Sequence, residues 1–152
     1  MKGRRDPNPD FRCVHCSALV PAQSSLAGVN HRNHCPYCLW SRHLDLRAAG
    51  DRLSACKAPM KPVGLTMKRR NKKYPGAVGE LMVMHHCTGC GTLSINRIAA
   101  DDLSEVLLEV LAASAGLSAD IREQALRSGI DLLGPDDLQI VQRQLFGDRS
   151  GS

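Results

Sequence analysis

Apolar and polar positions divide this chain into a first part that predicts short strands and a last part that predicts helices. Residues 80–86 form a largely apolar run that predicts a strand, and residues 92–96 predict its return partner. Residues 11–12 and 17–20 predict a second, shorter hairpin, which Pro21 ends. Because strands and helices occupy different parts of the chain, the expected fold class is α+β.

Three helices are predicted from Asp101 onward, where the apolar spacing changes. In the first helix the apolar side chains follow the i, i+3, i+4, i+7, i+8 pattern of an amphipathic helix. The first helix is expected to end at Gly116, the second at Gly129, and the third to run to Leu145. The helices form either a small unit of their own or a tail docked on the first part. The apolar positions of the first helix are Leu103, Val106, Leu107, Val110 and Leu111. The predicted N-caps are Asp102, with Glu105 completing a capping box, Ser118 and Asp136.

The middle of the chain gives weaker patterns. Four residues recur at helical spacing, so a short helix is predicted to start near Cys38 and to end at Gly50. These residues are Leu39, Trp40, His43 and Leu44. Residues 22–34 lack apolar periodicity and residues 51–80 are rich in Pro and Gly, so both segments are predicted to be loops.

The positions of cysteine and histidine indicate metal binding. The chain has seven Cys and six His, all in its first hundred residues. Six of the Cys form three CxxC motifs, and this spacing lets both thiolates of a tight knuckle bind one metal ion. Seven Cys and one His suffice for two tetrahedral sites, for which zinc is favoured over iron. The predicted ligands are Cys13, Cys16, Cys35, Cys38, His43, Cys56, Cys87 and Cys90. The sequence thus predicts a small metal-stabilised domain of the zinc-knuckle or zinc-ribbon kind, with a C-terminal helical extension.

Two pairings of these ligands are open. In the sequential pairing the first two CxxC motifs, separated by 18 residues, share one metal, and the third motif joins His43 and Cys56 at the other. In the interleaved pairing the first motif joins the third, and the second motif joins His43 and Cys56. A helix that starts at Cys38 turns His43 about 140° away from it, which favours the sequential pairing. The alternatives to His43 as the eighth ligand are His34, His85 and His86.

The remaining histidines and two arginines have other expected roles. His31 and His34 are expected to donate hydrogen bonds or to contact phosphate rather than to bind metal. His15 lies inside the first knuckle and is expected to face solvent. Arg32 and Arg52 either brace the knuckles through backbone carbonyls or contact a ligand.

Charge is distributed unevenly along the chain. Residues 1–100 carry 16 Lys and Arg against 5 Asp and Glu, a net charge of +11. Residues 101–152 carry 4 against 10, a net charge of −6. This change predicts a boundary near residue 100. The expected organisation is a flexible arm at 1–10, a metal-binding domain at 11–100, an acidic three-helix tail at 101–146 and a flexible end at 147–152.

The basic first part predicts a polyanionic partner, which is nucleic acid or a ribonucleoprotein, with RNA favoured. The alternative is a basic face that is only solvated. The acidic helices are expected either to dock on a protein partner or to cover the basic face. The residues predicted to contact nucleic acid are Arg32, Arg42, Arg52, Lys68, Arg69, Arg70, Lys72, Lys73 and Arg97.

The sequence also argues against several functional classes. No stretch approaches 18 apolar residues, so no transmembrane helix is predicted, and the basic first residues lack the apolar core of a signal peptide. A cytoplasmic location is therefore expected, where reduced thiols favour zinc over disulfides. Cys-Pro-Tyr-Cys is also the active-site string of glutaredoxins, but no apolar strand precedes it here. Carboxylates are scarce in the first part, so the chain is expected not to be an enzyme. A protein–protein adaptor with structural zinc and a metal-dependent nuclease are the alternatives.

Residues 32–36 spell Arg-Asn-His-Cys-Pro, the string that names the RNHCP-domain family of small bacterial proteins. The chain resembles this family over roughly residues 11–102. Besides the cysteines, the residues that carry the resemblance include Gly50-Asp51-Arg52, Asn96-Arg97 and Asp101-Asp102. The resemblance implies a zinc-binding domain and no established activity.

Overall fold

The computed structural model describes residues 11–20, 34–43, 56–68, 79–99 and 101–146. These residues form strands followed by helices, which confirms the α+β class. The strands are β1 (Phe11–Arg12), β2 (Leu19–Val20), β3 (Ser41–Arg42), β4 (Pro59–Lys68), β5 (Glu80–Cys87) and β6 (Leu93–Arg97). The α-helices are α1 (Ser104–Ala113), α2 (Ala119–Arg127) and α3 (Leu138–Phe146), with 3₁₀ turns at Ser114–Gly116 and Pro135–Asp137.

The strands form two antiparallel sheets. The hairpin of β1 and β2 stands apart, and the larger sheet has the order β3-β4-β5-β6. In the larger sheet β4 and β5 make the longest ladder, from Met60 opposite Cys87 to Lys68 opposite Glu80. Strands that follow one another in the chain are therefore neighbours in the larger sheet.

The larger sheet is covered on both faces by the helices. On one face Leu65 and Val83 pack with Leu107 of α1 and Val141 of α3. On the other face β4 and β5 supply a second cluster that packs against α2. That cluster contains Val63, Met84 and Ala125, with Ile121 and Leu132 beside them. The central parts of β4 and β5 are apolar on both sides because helices cover both faces of the sheet there.

A β-bulge at Val63 lets β4 contribute to both clusters. Pro62 pairs with His85 and Gly64 pairs with Met84, so Val63 is an extra residue in the ladder. An extra residue reverses the alternation of side chains along the strand. Val63 and Leu65, two positions apart, therefore lie in different clusters.

The segment after α2 joins the exposed edge of β4. Leu132 forms a β-bridge with Thr66, whose hydroxyl donates to the carbonyl of Asp131 at 2.7 Å. The backbone N–H of Leu133 donates to the carbonyl of Leu65 at 2.9 Å. A Cβ on Gly64 would lie 2.6 Å from Cδ1 of Leu132, so a larger residue at this position would force the Leu132 side chain to shift. Of the two predicted arrangements, the described helices adopt the docked one.

The prediction of a helix that starts near Cys38 is wrong. Leu39 has φ of 67°, a left-handed conformation that ends a knuckle, and β3 follows at Ser41–Arg42. The helical spacing of the apolar residues has another origin: Leu39 packs in the sheet core, whereas Trp40 packs beside Cys13 and Cys35. Leu44 and Gly50 lie outside the described residues.

The loop predicted over residues 51–80 is also wrong where β4 crosses it. Pro59 is the first residue of that strand, and Pro62 adjoins the bulge. Strands tolerate proline at these positions because no ladder hydrogen bond is lost there. Gly64 sits where Leu132 approaches, so the residues that usually interrupt a strand serve its packing.

Helix ends follow the sequence only in part. Ser118 caps α2 by accepting the N–H of Ile121 at 3.3 Å, and Gly129 ends it with φ of 75°, as predicted. Asp102 does not cap α1, whose N-cap position is Leu103, because its carboxylate is engaged with His34. Asp136 does not cap the third helix. Gly134 begins a 3₁₀ turn there instead, and its N–H donates to the Asp137 carboxylate at 2.9 Å.

We predict that Leu107→Ala destabilises the zinc-loaded protein by about 2–5 kcal/mol, because it opens a cavity between α1 and the sheet. The matched control is Leu126→Ala on α2, since 76% of that side chain is exposed, and it should change the free energy of unfolding by less than about 0.5 kcal/mol. Urea unfolding followed by circular dichroism measures both. Equal midpoints for the two variants would contradict a core shared by helices and sheet.

Candidate metal centres

The first cluster consists of the first two CxxC motifs. The Sγ atoms of Cys13 and Cys38 lie 3.5 Å apart, and those of Cys16 and Cys35 lie 3.6 Å apart. All four sulfur atoms lie within 4.8 Å of one another. Zinc bound to four thiolates at about 2.3 Å has sulfur–sulfur edges of about 3.8 Å, whereas a disulfide bond is about 2.05 Å long. The separations therefore fit a tetrahedral ion and exclude sulfur–sulfur bonds.

Backbone N–H groups in each knuckle point at the sulfur atoms. Sγ of Cys13 accepts from the N–H groups of His15 at 3.3 Å and Cys16 at 3.4 Å. Sγ of Cys35 accepts from the N–H of Tyr37 at 3.4 Å. The Arg12 guanidinium donates to the carbonyl of Ser17 at 3.1 Å and thereby braces the first turn. Each CxxC segment is thus a hairpin turn shaped to stabilise thiolates.

The second cluster lies at one end of the larger sheet. His43 follows β3, Cys56 precedes β4, and Cys87 and Cys90 flank the turn from β5 to β6. The Sγ atoms of Cys56 and Cys87 are 3.6 Å apart, and Sγ of Cys90 is 3.4 Å from Nδ1 of His43. His43 is fixed in the ladder, since its N–H donates to the carbonyl of Ala58 at 2.9 Å. The second cluster therefore has the four donors that a Cys₃His zinc site requires.

Gly89, in the third knuckle, lies against this second cluster. A Cβ at that position would be 2.7 Å from Cβ of Ala58 and 3.2 Å from Sγ of Cys56. Glycine is required because the knuckle passes directly over another ligand.

The ligand sets match the sequential pairing. The two groups are Cys13, Cys16, Cys35, Cys38 and His43, Cys56, Cys87, Cys90. In the described residues β3, and not a helix, follows Cys38, so the geometric argument for this pairing fails although the ligand sets agree with it. With β3 extended, His43 reaches the third knuckle instead of returning to Cys38. His34, His85 and His86 belong to neither group.

The thiols ionise unequally. Burial raises the pKa of Cys35 to about 11 and also raises the pKa of Cys38. Burial opposes ionisation of Cys13 too, but the N–H groups of Cys16 and His15 outweigh it and lower the pKa. Hydrogen bonds from Thr92 lower the pKa of Cys90 to about 6. A bound cation would stabilise the buried thiolates of Cys35 and Cys38 against this burial. The two groups are positioned to bind two zinc ions, and binding would release the thiol protons.

A buried polar network joins the Arg-Asn-His-Cys-Pro segment to the start of α1. Nε2 of His34 donates to Oδ2 of Asp102 at 2.6 Å, and both side chains are nearly inaccessible to solvent. The same oxygen accepts the N–H of Ala99 at 2.8 Å. The N–H of Leu103 donates to the carbonyl of Pro36 at 3.0 Å. The residues beside Cys35 are therefore bonded to the helical part, and His34 is a hydrogen-bond donor, as expected.

His85 lies beside this network, with its ring centroid 5.9 Å from that of His34. Its Nε2–H donates to the carbonyl of Leu39 at 2.6 Å, so Nδ1 accepts from the amide of Asn96 at 2.9 Å. Burial, followed by the proximity of His34, lowers the pKa of His85 to about 3. His85 is therefore a neutral, buried brace and not a metal ligand. Sequence reasoning missed this network, although Asn96 and Asp102 were among the residues that carry the family resemblance.

The predicted nucleic-acid contacts are described only in part. Arg42, Lys68 and Arg97 are exposed. Nε of Arg42 donates to the carbonyl of Lys57 at 2.9 Å, and Nε of Arg97 donates to the Glu80 carboxylate at 2.7 Å. Those outside the described residues are Arg32, Arg52, Arg69, Arg70, Lys72 and Lys73. His31 lies outside them as well, while His15 is exposed, as expected.

We predict that the purified protein contains two zinc ions and that His43→Ala retains one, because only the second cluster loses a ligand. His86→Ala, the matched control, should retain both. Elemental analysis by mass spectrometry measures the zinc content. Loss of one ion from His86→Ala, with both ions retained by His43→Ala, would show that His86 and not His43 is the eighth ligand.

We predict that Asp102→Ala lowers the free energy of unfolding by about 2–5 kcal/mol, because it leaves the buried donors of His34 and Ala99 without this acceptor. Glu105→Ala, an exposed carboxylate in the first turn of α1, is the control and should change it by less than about 0.5 kcal/mol. Urea unfolding of the zinc-loaded variants measures the difference. Similar stability of both variants would show that the network contributes little.

Comparison with known proteins identifies the family of the chain. No curated protein and no solved structure gives a significant match. In the described part of the chain, no helix has the length and apolar character needed to cross a bilayer. The family model described as "RNHCP domain" matches residues 8–108, which include both metal clusters and the first residues of α1. The chain therefore belongs to the RNHCP domain family.

Proposed function

We propose that this protein is a non-enzymatic zinc module that binds RNA or a ribonucleoprotein through the basic surface of its metal-binding part. One observation carries the proposal. Between residues 11 and 99, the described segments contain a single carboxylate, Glu80, against six cationic side chains, all exposed. These cations are Arg12, Arg42, Lys57, Lys61, Lys68 and Arg97. A surface with this imbalance attracts polyanions and binds phosphate groups without reading base sequence.

The cations lie at both ends of the larger sheet. Arg42 and Lys57 adjoin the ligands His43 and Cys56 in sequence, and Lys61 pairs with His86 next to Cys87, so all three lie at the end of the sheet that holds the second cluster. Lys68 lies opposite Glu80 at the other end of the ladder, and Arg97 donates to the same carboxylate. Positive charge therefore lies at the two ends of the sheet, where it supports contacts with well-separated phosphates of a nucleic-acid backbone.

The helices carry the opposite charge. Residues 101–146 contain nine Asp and Glu against three Arg. Phosphates are repelled from this part, so a polyanion is directed to the sheet and the knuckles. The helices also expose the large apolar side chains of Leu126, Ile140 and Phe146. This exposure supports a second candidate function, an adaptor that binds a protein through its helices.

The ligand sets favour a structural over a catalytic role for the metal. Each cluster supplies four protein donors, which complete a tetrahedral zinc ion. Catalytic zinc sites instead use three protein ligands and leave the fourth position for water or substrate. The absence of enzymatic activity is thus part of the proposal, and both ions serve to fix the knuckles.

We predict that the zinc-loaded full chain binds RNA with an affinity that falls steeply with salt. Replacing the five cations Lys68, Arg69, Arg70, Lys72 and Lys73 with Gln should reduce the slope of log affinity against log salt by about 3 to 4 units. The matched control is Arg127→Gln with Arg143→Gln on the acidic helices, which should leave the slope unchanged. Fluorescence anisotropy with labelled RNA measures the slopes. An unchanged slope in the fivefold variant would show that this run is only solvated, and no binding at low salt would overturn the proposed function.

A further inference from the structure

The first metal cluster carries a pair of stacked rings, of which His15 is exposed and Trp40 is half-buried. The rings of His15 and Trp40 are parallel, with centroids 4.3 Å apart and an interplanar angle of 3°. Trp40 also packs beside the cluster formed by Cys13, Val20 and Cys35. His15 is exposed and lies between two thiol ligands of the first knuckle. The stack therefore starts in a small core and ends at the surface.

Further apolar side chains lie at the tips of the same two knuckles. Val14 and Tyr37 occupy the middle positions of the two CxxC motifs, and 42% and 51% of their surfaces are exposed. The chain has only five Phe, Trp and Tyr residues, and three of them lie in the two segments that form this cluster. These three are Phe11, Tyr37 and Trp40. Aromatic surface is thus concentrated at one place in a chain that has little of it.

The two knuckles make this surface rigid. The N–H groups of His15 and Tyr37 donate to the sulfur atoms of Cys13 and Cys35, so the backbone under each exposed ring is fixed to the metal cluster. A backbone fixed in this way loses little further conformational freedom when a ligand stacks on the rings that it carries. One face of the His15 ring packs on Trp40. Because His15 is exposed, its other face is available to a second flat ring.

We propose that these knuckle tips, Val14, His15, Tyr37 and Trp40, bind an unpaired base of single-stranded nucleic acid. This inference rests on the proposed function and specifies its ligand. The described residues from 11 to 43 include Arg12 and Arg42 but no carboxylate, so the two knuckles themselves present no negative charge to the phosphates beside a bound base. Aromatic rings accept any base, because every base has a π-face. Paired bases in a duplex are already stacked, so the knuckle tips select for unpaired segments.

Trp40 provides the test, because it is the single Trp of the chain. The zinc-loaded full chain is titrated with oligouridylate, with an abasic sugar–phosphate oligomer of equal length, and with an RNA duplex. We expect oligouridylate to quench Trp40 emission and to bind about tenfold more tightly than the abasic oligomer. The duplex should bind without quenching. Equal affinity for oligouridylate and the abasic oligomer would overturn base stacking while leaving phosphate binding intact, and no binding of any probe would overturn the proposed function as well.

Substitutions locate the contact. His15→Ala and Tyr37→Ala should each weaken oligouridylate binding several-fold and leave the abasic oligomer unaffected. His15→Phe keeps a flat ring and should retain binding, which separates stacking from a role of the imidazole nitrogens. Phe146→Ala removes an exposed aromatic ring from α3 and is the matched control. Zinc content is measured for each variant. If His15→Ala loses zinc, Tyr37→Ala and the abasic comparison decide. Unchanged oligouridylate binding by a zinc-loaded Tyr37→Ala, together with equal binding of the abasic oligomer, rejects the proposal.

Discussion

Coordination of one metal ion by four side chains is the interaction on which the arrangement of the strands depends. β1, β2 and β3 have two residues each, a length at which a strand is not stable alone. The first cluster joins the β1–β2 hairpin to the second knuckle, and the second cluster joins the end of β3 to the β5–β6 turn. A structural zinc site contributes on the order of 10 kcal/mol or more to folding, which offsets the small apolar core around the knuckles.

The network of His34 and Asp102 connects this metal-dependent part to the helices. His34 precedes Cys35, and Asp102 precedes the first turn of α1, so one hydrogen bond fixes a ligand-bearing segment against a helix start. Leu39 acts in parallel, because its side chain enters the sheet core and its carbonyl accepts from His85. The charge boundary near residue 100 therefore crosses a continuous apolar core and does not separate two cores.

Features that depend on local spacing could be predicted from the sequence, and those that depend on distant contacts could not. CxxC spacing identifies ligands because two residues suffice to close a knuckle, and the same locality explains Ser118 and Gly129. β4 was missed because its Pro and Gly residues fit the strand only at its first residue, at the bulge and where Leu132 approaches. Asp102 was taken for a cap because its partner, His34, lies 68 positions away. The apolar spacing around Leu39 looked helical because two separate cores use neighbouring residues.

The order of the ligands along the chain has a consequence for assembly during synthesis. The first cluster is completed by Cys38, and its sulfur pairs bridge at most 25 positions. The second cluster includes His43 and Cys90, which are 47 positions apart and meet only when β4, β5 and β6 are in register. A growing chain thus presents one complete set of thiols early, while the other waits for the sheet. The first ion can bind once a local loop closes, whereas the second can bind only after the strands of the larger sheet have paired.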